Sequence, residues 1–164
     1  MAPDRLIGVP RPMTRAFDSH DHATCRREAL AAAEAACAER GERLTPVRRR
    51  TLEILLESHR ALGAYDVLER LREDGFGSQP PVAYRALSFL VEQGLVHRIE
   101  ALQAFVACAR PGKTHEAAFL VCRRCRRVAE EPLPDQTPTT PGFAVERRVV
   151  EMQGLCPDCR NGKA

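Results

Sequence analysis

Residues 115–130 read His115-Glu-Ala-Ala-Phe-Leu-Val-Cys122-Arg-Arg-Cys125-Arg-Arg-Val-Ala-Glu130, and a second short stretch reads Cys156-Pro-Asp-Cys159. Two C-x-x-C pairs offer four thiolates, the ligand set of a tetrahedral structural zinc site. Two residues between the cysteines let a tight knuckle aim both sulfurs at one ion, and two knuckles complete the tetrahedron. A lone C-x-x-C also serves thiol redox chemistry, but there a single pair sits at a helix N-terminus in a βαβ unit. The gap between the pairs is long, so the clip ties distant strand ends together rather than closing one small loop. His115 and Glu130 lie in the same stretch and are not needed for the clip, which leaves them available for a second job.

The chain has 164 residues, 44% of them hydrophobic and 29% charged. That is the make-up of a globular protein with one large domain or two small ones. Trp is absent and aromatics are scarce, so stacking on unpaired bases is not the expected mode of action. The formal net charge is +3, with 15 basic and 15 acidic side chains up to residue 109 and 10 and 7 after it. A DNA-binding half would rely on a local patch, not on bulk charge. No apolar run is long enough for a membrane span, and the N-terminal stretch lacks a signal-peptide core. Seven cysteines then predict a reducing, cytoplasmic setting and metal ligation rather than disulfides.

Residues 1–23 carry Pro3, Pro10 and Pro12 without apolar period and read as a mobile tail. His20, His22 and Cys25 form H-x-H-x-x-C, a spacing open to a metal or to incidental histidines on a solvated tail. Cys25 to Arg40 reads as a helix ended by Gly41. Thr45-Pro46 suits an N-cap followed by the first helical turn, with Leu52, Leu55, Leu56 and His59 at helical spacing behind it. Arg48, Arg49 and Arg50 near that start are either a solvated face or phosphate contacts. A third helix opens at Ala64-Tyr65-Asp66, buries Val67, Leu68 and Leu71, and stops near Gly75 and Gly77. A fourth runs from Pro80 to Gly94, with Ala83, Ala86, Leu87, Leu90 and Val91 on its apolar face and Tyr84, Arg85 and Ser88 largely opposite. Leu95 to Glu100 and Ala104 to Ala107 read as a hairpin. Three helices and a terminal hairpin form a winged-helix pattern, whose last helix offers an Arg to the major groove. Arg110 to Lys113 reads as a hinge. Beyond it Phe119 to Cys122, Val128 to Glu131 and Phe143 to Met152 read as strands, separated in part by the proline-rich run 132–141. The fold class is therefore α+β: a tail over 1–23, a winged-helix DNA-binding domain over 24–109, and a small α/β domain with a structural zinc site over 110–164.

At this point the chain resembles the Fur-type metalloregulators, most closely their zinc uptake branch. The carrying residues are Arg43-Leu-Thr-Pro46, Ala64-Tyr-Asp66, Pro80-Pro-Val-Ala-Tyr-Arg-Ala-Leu87, Glu92-Gln-Gly-Leu-Val-His97, Cys122-x-x-Cys125 and Gly154-Leu-Cys-Pro-Asp-Cys159. The resemblance covers about residues 30–160. It implies a zinc-responsive transcriptional repressor that dimerises through its C-terminal domain and binds a palindromic double-stranded operator of zinc-uptake genes. It implies two zinc ions per subunit: a structural one on Cys122, Cys125, Cys156 and Cys159, and a regulatory one on His97, Cys108, His115 and Glu130. It implies DNA contacts from Tyr65 and Arg85, with Tyr84 divided between backbone contact and packing. No catalysis, small-molecule substrate or membrane partner is implied. A thiolate, two imidazoles and a carboxylate form a borderline-soft set that suits zinc over iron. The chain departs from the family pattern at Val82-Ala83, where Thr-Val is usual, and in the shortened, proline-rich segment before Phe143. Other readings are an iron- or peroxide-sensing relative, or a DNA-binding protein in which zinc is only a staple.

Overall fold

The computed structural model describes residues 16–17, 21–111, 115–133 and 138–163. Helix α1 spans His22–Glu39. Its start is set by Asp21, whose carboxylate accepts from the backbone N–H groups of Ala23 and Thr24 at 3.1 and 3.4 Å, satisfying donors no helical carbonyl can reach. The helix therefore begins three residues earlier than expected, and the tail cannot extend to residue 23. Ala16 is also buried, and Phe17 packs on a cysteine cluster, so these two residues are structured as well. His20 lies outside the described residues.

Helix α2 spans Pro46–Leu56. Thr45 holds the N-cap position, but its hydroxyl makes no capping hydrogen bond; Pro46, with no N–H to satisfy, starts the helix. His59 falls beyond α2 in the connection to α3 rather than on its buried face. Helix α3 spans Ala64–Glu73, and Asp66 accepts the Gly63 N–H at 2.8 Å. Helix α4 spans Pro80–Glu92. Leu52, Leu55, Val67, Leu71, Leu87 and Leu90 interdigitate in the core between α2, α3 and α4, closed on one side by Ala33 and Cys37 of α1. One detail of α4 differs from the apolar pattern. Phe89 is buried and Val91 is exposed, because the Arg48 guanidinium lies 3.5 Å over the Phe89 ring and covers it.

Strands β1 (Val96–Ile99) and β2 (Ala104–Ala107) form the antiparallel hairpin. Its tip is a 3-10 turn over Glu100–Leu102, followed by Gln103 in the left-handed region at φ 47°. A second sheet has the order β4-β3-β5, with β3 at Ala117–Cys122, β4 at Val128–Pro132 and β5 at Val150–Gly154. β3 runs antiparallel to β4 and parallel to β5. The last strand is shorter than the expected 143–152: residues 143–149 are not paired, and Phe143, Val145 and Val149 are exposed. Among the described residues of 132–141 there is no helix. A short helix α5, Pro157–Arg160, ends the fold.

The hairpin and the three-stranded sheet share a core. Ala61, Ile99, Ala104 and Val106 pack with Ala117, Phe119, Val121 and Val128. Backbone bonds reinforce the join. Leu62 and Phe105 bridge the α2–α3 connection to β2, Val128 N–H donates to the His59 carbonyl at 2.9 Å, and Ala61 N–H donates to the Arg126 carbonyl at 2.9 Å. The Glu151 carboxylate of β5 accepts the Glu100 and Ala101 N–H groups at 2.7 and 2.8 Å, so the last strand holds the hairpin tip.

Candidate metal centres and nucleic-acid face

Both C-x-x-C pairs sit on tight turns. The first leaves the end of β3: Cys122 N–H donates to the Arg127 carbonyl and Arg126 N–H returns to the Cys122 carbonyl, each at 2.9 Å. Arg126 takes φ 62° to close it. The second enters α5, with Cys156 at the N-cap position and Cys159 in the helix. β3 and β5 run parallel and paired, Cys122 opposite Gly154, so both knuckles emerge at the same sheet end. One ligand atom from each of Cys122, Cys125, Cys156 and Cys159 lies within 4.8 Å of the others. Three of the four are buried. Cys125 and Cys156 sulfurs are 3.6 Å apart, far beyond a disulfide bond, and all seven cysteines are free.

The local field favours the thiolate at Cys122 and Cys125, while burial and the neighbouring thiols push Cys159 up to about 12. Burial opposes charge on Cys122, but N–H groups of Cys125, Cys156 and Arg124 outweigh it and bring the thiol down to about 6. Arg127 donates to the Cys125 and Cys156 sulfurs at 3.5 Å each and pairs with Asp158. This arginine and its carboxylate partner are absent from the sequence reading; the only trace is a basic residue just past the knuckle and an acidic one inside Cys156-Pro-Asp-Cys159.

The second cluster assembles where the hairpin meets the sheet. His97 comes from β1, Cys108 follows β2, His115 precedes β3 and Glu130 lies on β4. Their ligand atoms also fall within 4.8 Å of one another. Cys108 Sγ is 3.8 Å from His115 Nε2, the His115 ring contacts the Glu130 carboxylate, and His97 Nε2 stands 3.4 Å from Glu130 Oε2. Glu130 is 7% exposed yet charged. Burial would raise its pKa, but His97, the Ala109 N–H at 2.8 Å and His115 together hold it down to about 2. Cys108 is pushed the other way, up to about 12, by burial and by the Glu130 charge. His97 Nε2 is the one buried side-chain N or O atom among the described residues with no hydrogen-bond partner. A buried imidazole nitrogen without a hydrogen bond, aimed at a thiol and a carboxylate, is what a metal ligand looks like without its ion. The donor set of two nitrogens, one sulfur and one oxygen fits zinc. Arg110, 3.7 Å from Glu130 Oε1, joins this cluster without having been anticipated.

The expected DNA-contacting residues are all exposed. Tyr84 and Arg85 stand on α4 and Tyr65 on α3, with Tyr65 69% exposed. Of the arginine triplet on α2, Arg48 is spent on Phe89, Arg49 pairs with Glu34 and Glu53, and Arg50 pairs with Asp74 and Glu57. All three, which the sequence left open to phosphate, therefore have partners within the fold. No described helix is long and apolar enough to cross a membrane.

Comparisons with known proteins agree with this architecture. Residues 39–138 match the ferric uptake regulator family. The zinc uptake regulation protein of Escherichia coli K12 is 40% identical over 143 residues, which is 83% of this chain and 84% of that protein. Its Shigella flexneri counterpart aligns equally. Among solved structures, a zinc uptake regulator complexed with zinc and DNA is 37% identical, with a TM-score of 0.73 over 84% of this chain and 97% of that one. Holo XcZur is 33% identical, with a TM-score of 0.69 over 86% and 99%.

Proposed function

The chain belongs to the ferric uptake regulator family, and from that premise we propose that it is a zinc-responsive transcriptional repressor. Zinc is the corepressor, and the target is a palindromic operator of zinc-uptake genes. The carrying observation is the convergence of His97, Cys108, His115 and Glu130 across the junction of hairpin and sheet, with His97 Nε2 buried and without a hydrogen bond.

Two of these ligands belong to the DNA-binding half and two to the sheet. When bound, zinc supplies a borderline-soft Lewis acid that takes the place of the Cys108 proton and neutralises Glu130. His97 and Cys108 are then held to His115 and Glu130. The orientation of α4 relative to the sheet becomes fixed, since β1 follows α4 directly. In a homodimer, two α4 helices held at a set separation enter successive major grooves of a palindrome. Arg85 reads guanine there, Tyr65 reaches the DNA, and Tyr84 is divided between backbone contact and packing. The dimer reading is supported by exposed apolar side chains on and before β5, where Phe143 is 71% exposed and Met152 45%. Moving such an equilibrium from mostly incompetent to mostly competent takes ~5.5 kcal/mol of differential zinc affinity.

The four-cysteine site is the structural zinc site, giving two ions per subunit. Each of these two clusters offers four protein ligands, which leaves no position for a reactive water. The reading is accordingly a regulator and not an enzyme. The test is fluorescence anisotropy on promoter DNA of the organism's own zinc-import genes, in buffered zinc, buffered iron(II) and chelator, with Cys108→Ser beside the wild type. Binding that follows free zinc and is lost in the variant supports the proposal. Binding that follows iron assigns an iron sensor, and equal binding throughout leaves a zinc-stapled DNA-binding protein.

A further inference from the structure

We propose that His22, Cys25 and His59 form a third zinc site, separate from the two clusters above; counting it as the third equivalent rests on the proposed filling of those two. The ligand atoms of the three lie within 4.8 Å of one another. His22 and Cys25 are three residues apart at the start of α1, the spacing that puts two side chains on one helix face. His59 meets them from the connection between α2 and α3, and the His22 and His59 rings approach edge to face at 5.2 Å between centroids. The sequence alone grouped His22 with His20 through H-x-H-x-x-C; His59, 37 positions after His22, has no sequence spacing to betray it.

The chemistry suits a metal. His22 Nε2 lies 2.8 Å from the Glu57 carbonyl oxygen. A carbonyl only accepts, so Nε2 carries the proton of this bond. This is the orienting hydrogen bond that metal-ligating imidazoles characteristically make with their other nitrogen. Two imidazoles and one thiolate select a borderline-soft divalent ion, zinc above calcium or magnesium. Among the described residues the cluster offers three protein ligands. All three residues are partly exposed and line a cavity of about 520 Å³ whose wall also carries Cys108 and Glu130. An ion entering this cavity therefore meets the third site in the same space as two regulatory ligands.

Occupancy staples the first turn of α1 to the α2–α3 connection. That connection is already bonded to β4 through the His59 carbonyl, and Arg60 bridges Arg127 just before that strand. Zinc at the third site thus stiffens the same junction the regulatory cluster spans.

The experiment loads the full-length protein from buffered zinc and counts ions per subunit by mass spectrometry of the metal, for wild type, Cys25→Ser and His59→Gln. Wild type is expected to take a third, weaker equivalent after two tight ones. Each variant should keep the two tight ones, which certify its folding, and lose the third. With two zinc equivalents bound, added cobalt(II) should give a thiolate charge-transfer band in wild type that Cys25→Ser abolishes. Saturation of wild type at two, or a third equivalent unchanged in both variants, overturns the proposal.

Discussion

Cys108 is buried beside an ionised Glu130, and its thiol stays protonated up to about 12. A ligand with its pKa so raised binds zinc only by giving up that proton. Each unit of pH removes a factor of ten in the competing proton, so zinc affinity at this cluster should rise about tenfold per pH unit across the mildly alkaline range. Competition against a chelator of known pH dependence measures it, and a flat profile would exclude Cys108 as a ligand. Arg127 acts on the other centre through two sulfurs and Asp158. Replacing it by Ala should weaken zinc retention by the four cysteines about 10–100-fold, read as faster transfer to a chromogenic chelator. The four cysteines were legible because their spacing is itself the chemistry. Arg127 was not, because its partners Cys156 and Asp158 come from a distant segment that only the β3–β5 pairing delivers. His59 was illegible too, since its partners His22 and Cys25 stand far back in the chain on α1.

The four helices were legible in the sequence because Pro46, Pro80, Gly41, Gly75 and Gly94 mark their limits and the leucines between keep a helical period. The misplaced details are ones where a side chain from another element decides. Phe89 is buried under Arg48, and Asp21 caps α1 three residues before the start that its own run of residues announced. Strand β5 was over-extended, since Phe143, Val145 and Val149 look like strand residues yet stay exposed and unpaired. On α4, Leu90→Ala should cost about 2–5 kcal/mol by transfer and cavity terms, measured by urea unfolding. Arg85→Ala on the opposite face should leave stability unchanged and weaken operator binding by about 1–3 kcal/mol, measured by anisotropy with zinc in excess. A result in which both lose folding alike would remove the division of α4 into a core face and a DNA face.

For the whole molecule, the exposed apolar residues around β5 are the surface on which a second copy is expected. Met152→Asp together with Phe143→Glu should shift the protein from dimer to monomer in sedimentation velocity while both tight zinc equivalents remain. The two-part organisation was visible in the change of character near residue 109, but not the degree to which the parts are joined. Ala61, Phe119 and Val128 come from three distant positions and share one core, and alternation along any one strand cannot reveal that. The bond from Glu151 to the hairpin tip belongs to this scale too. It makes β5, which carries the exposed Met152, a support of the wing. Exchanging the first half of this chain for that of a relative would therefore not be a neutral swap of modules. A chimera joined at residue 109 keeps its tip only if the incoming turn still offers two N–H groups where Glu151 stands, and specificity grafted in this way would need the strand to travel with it.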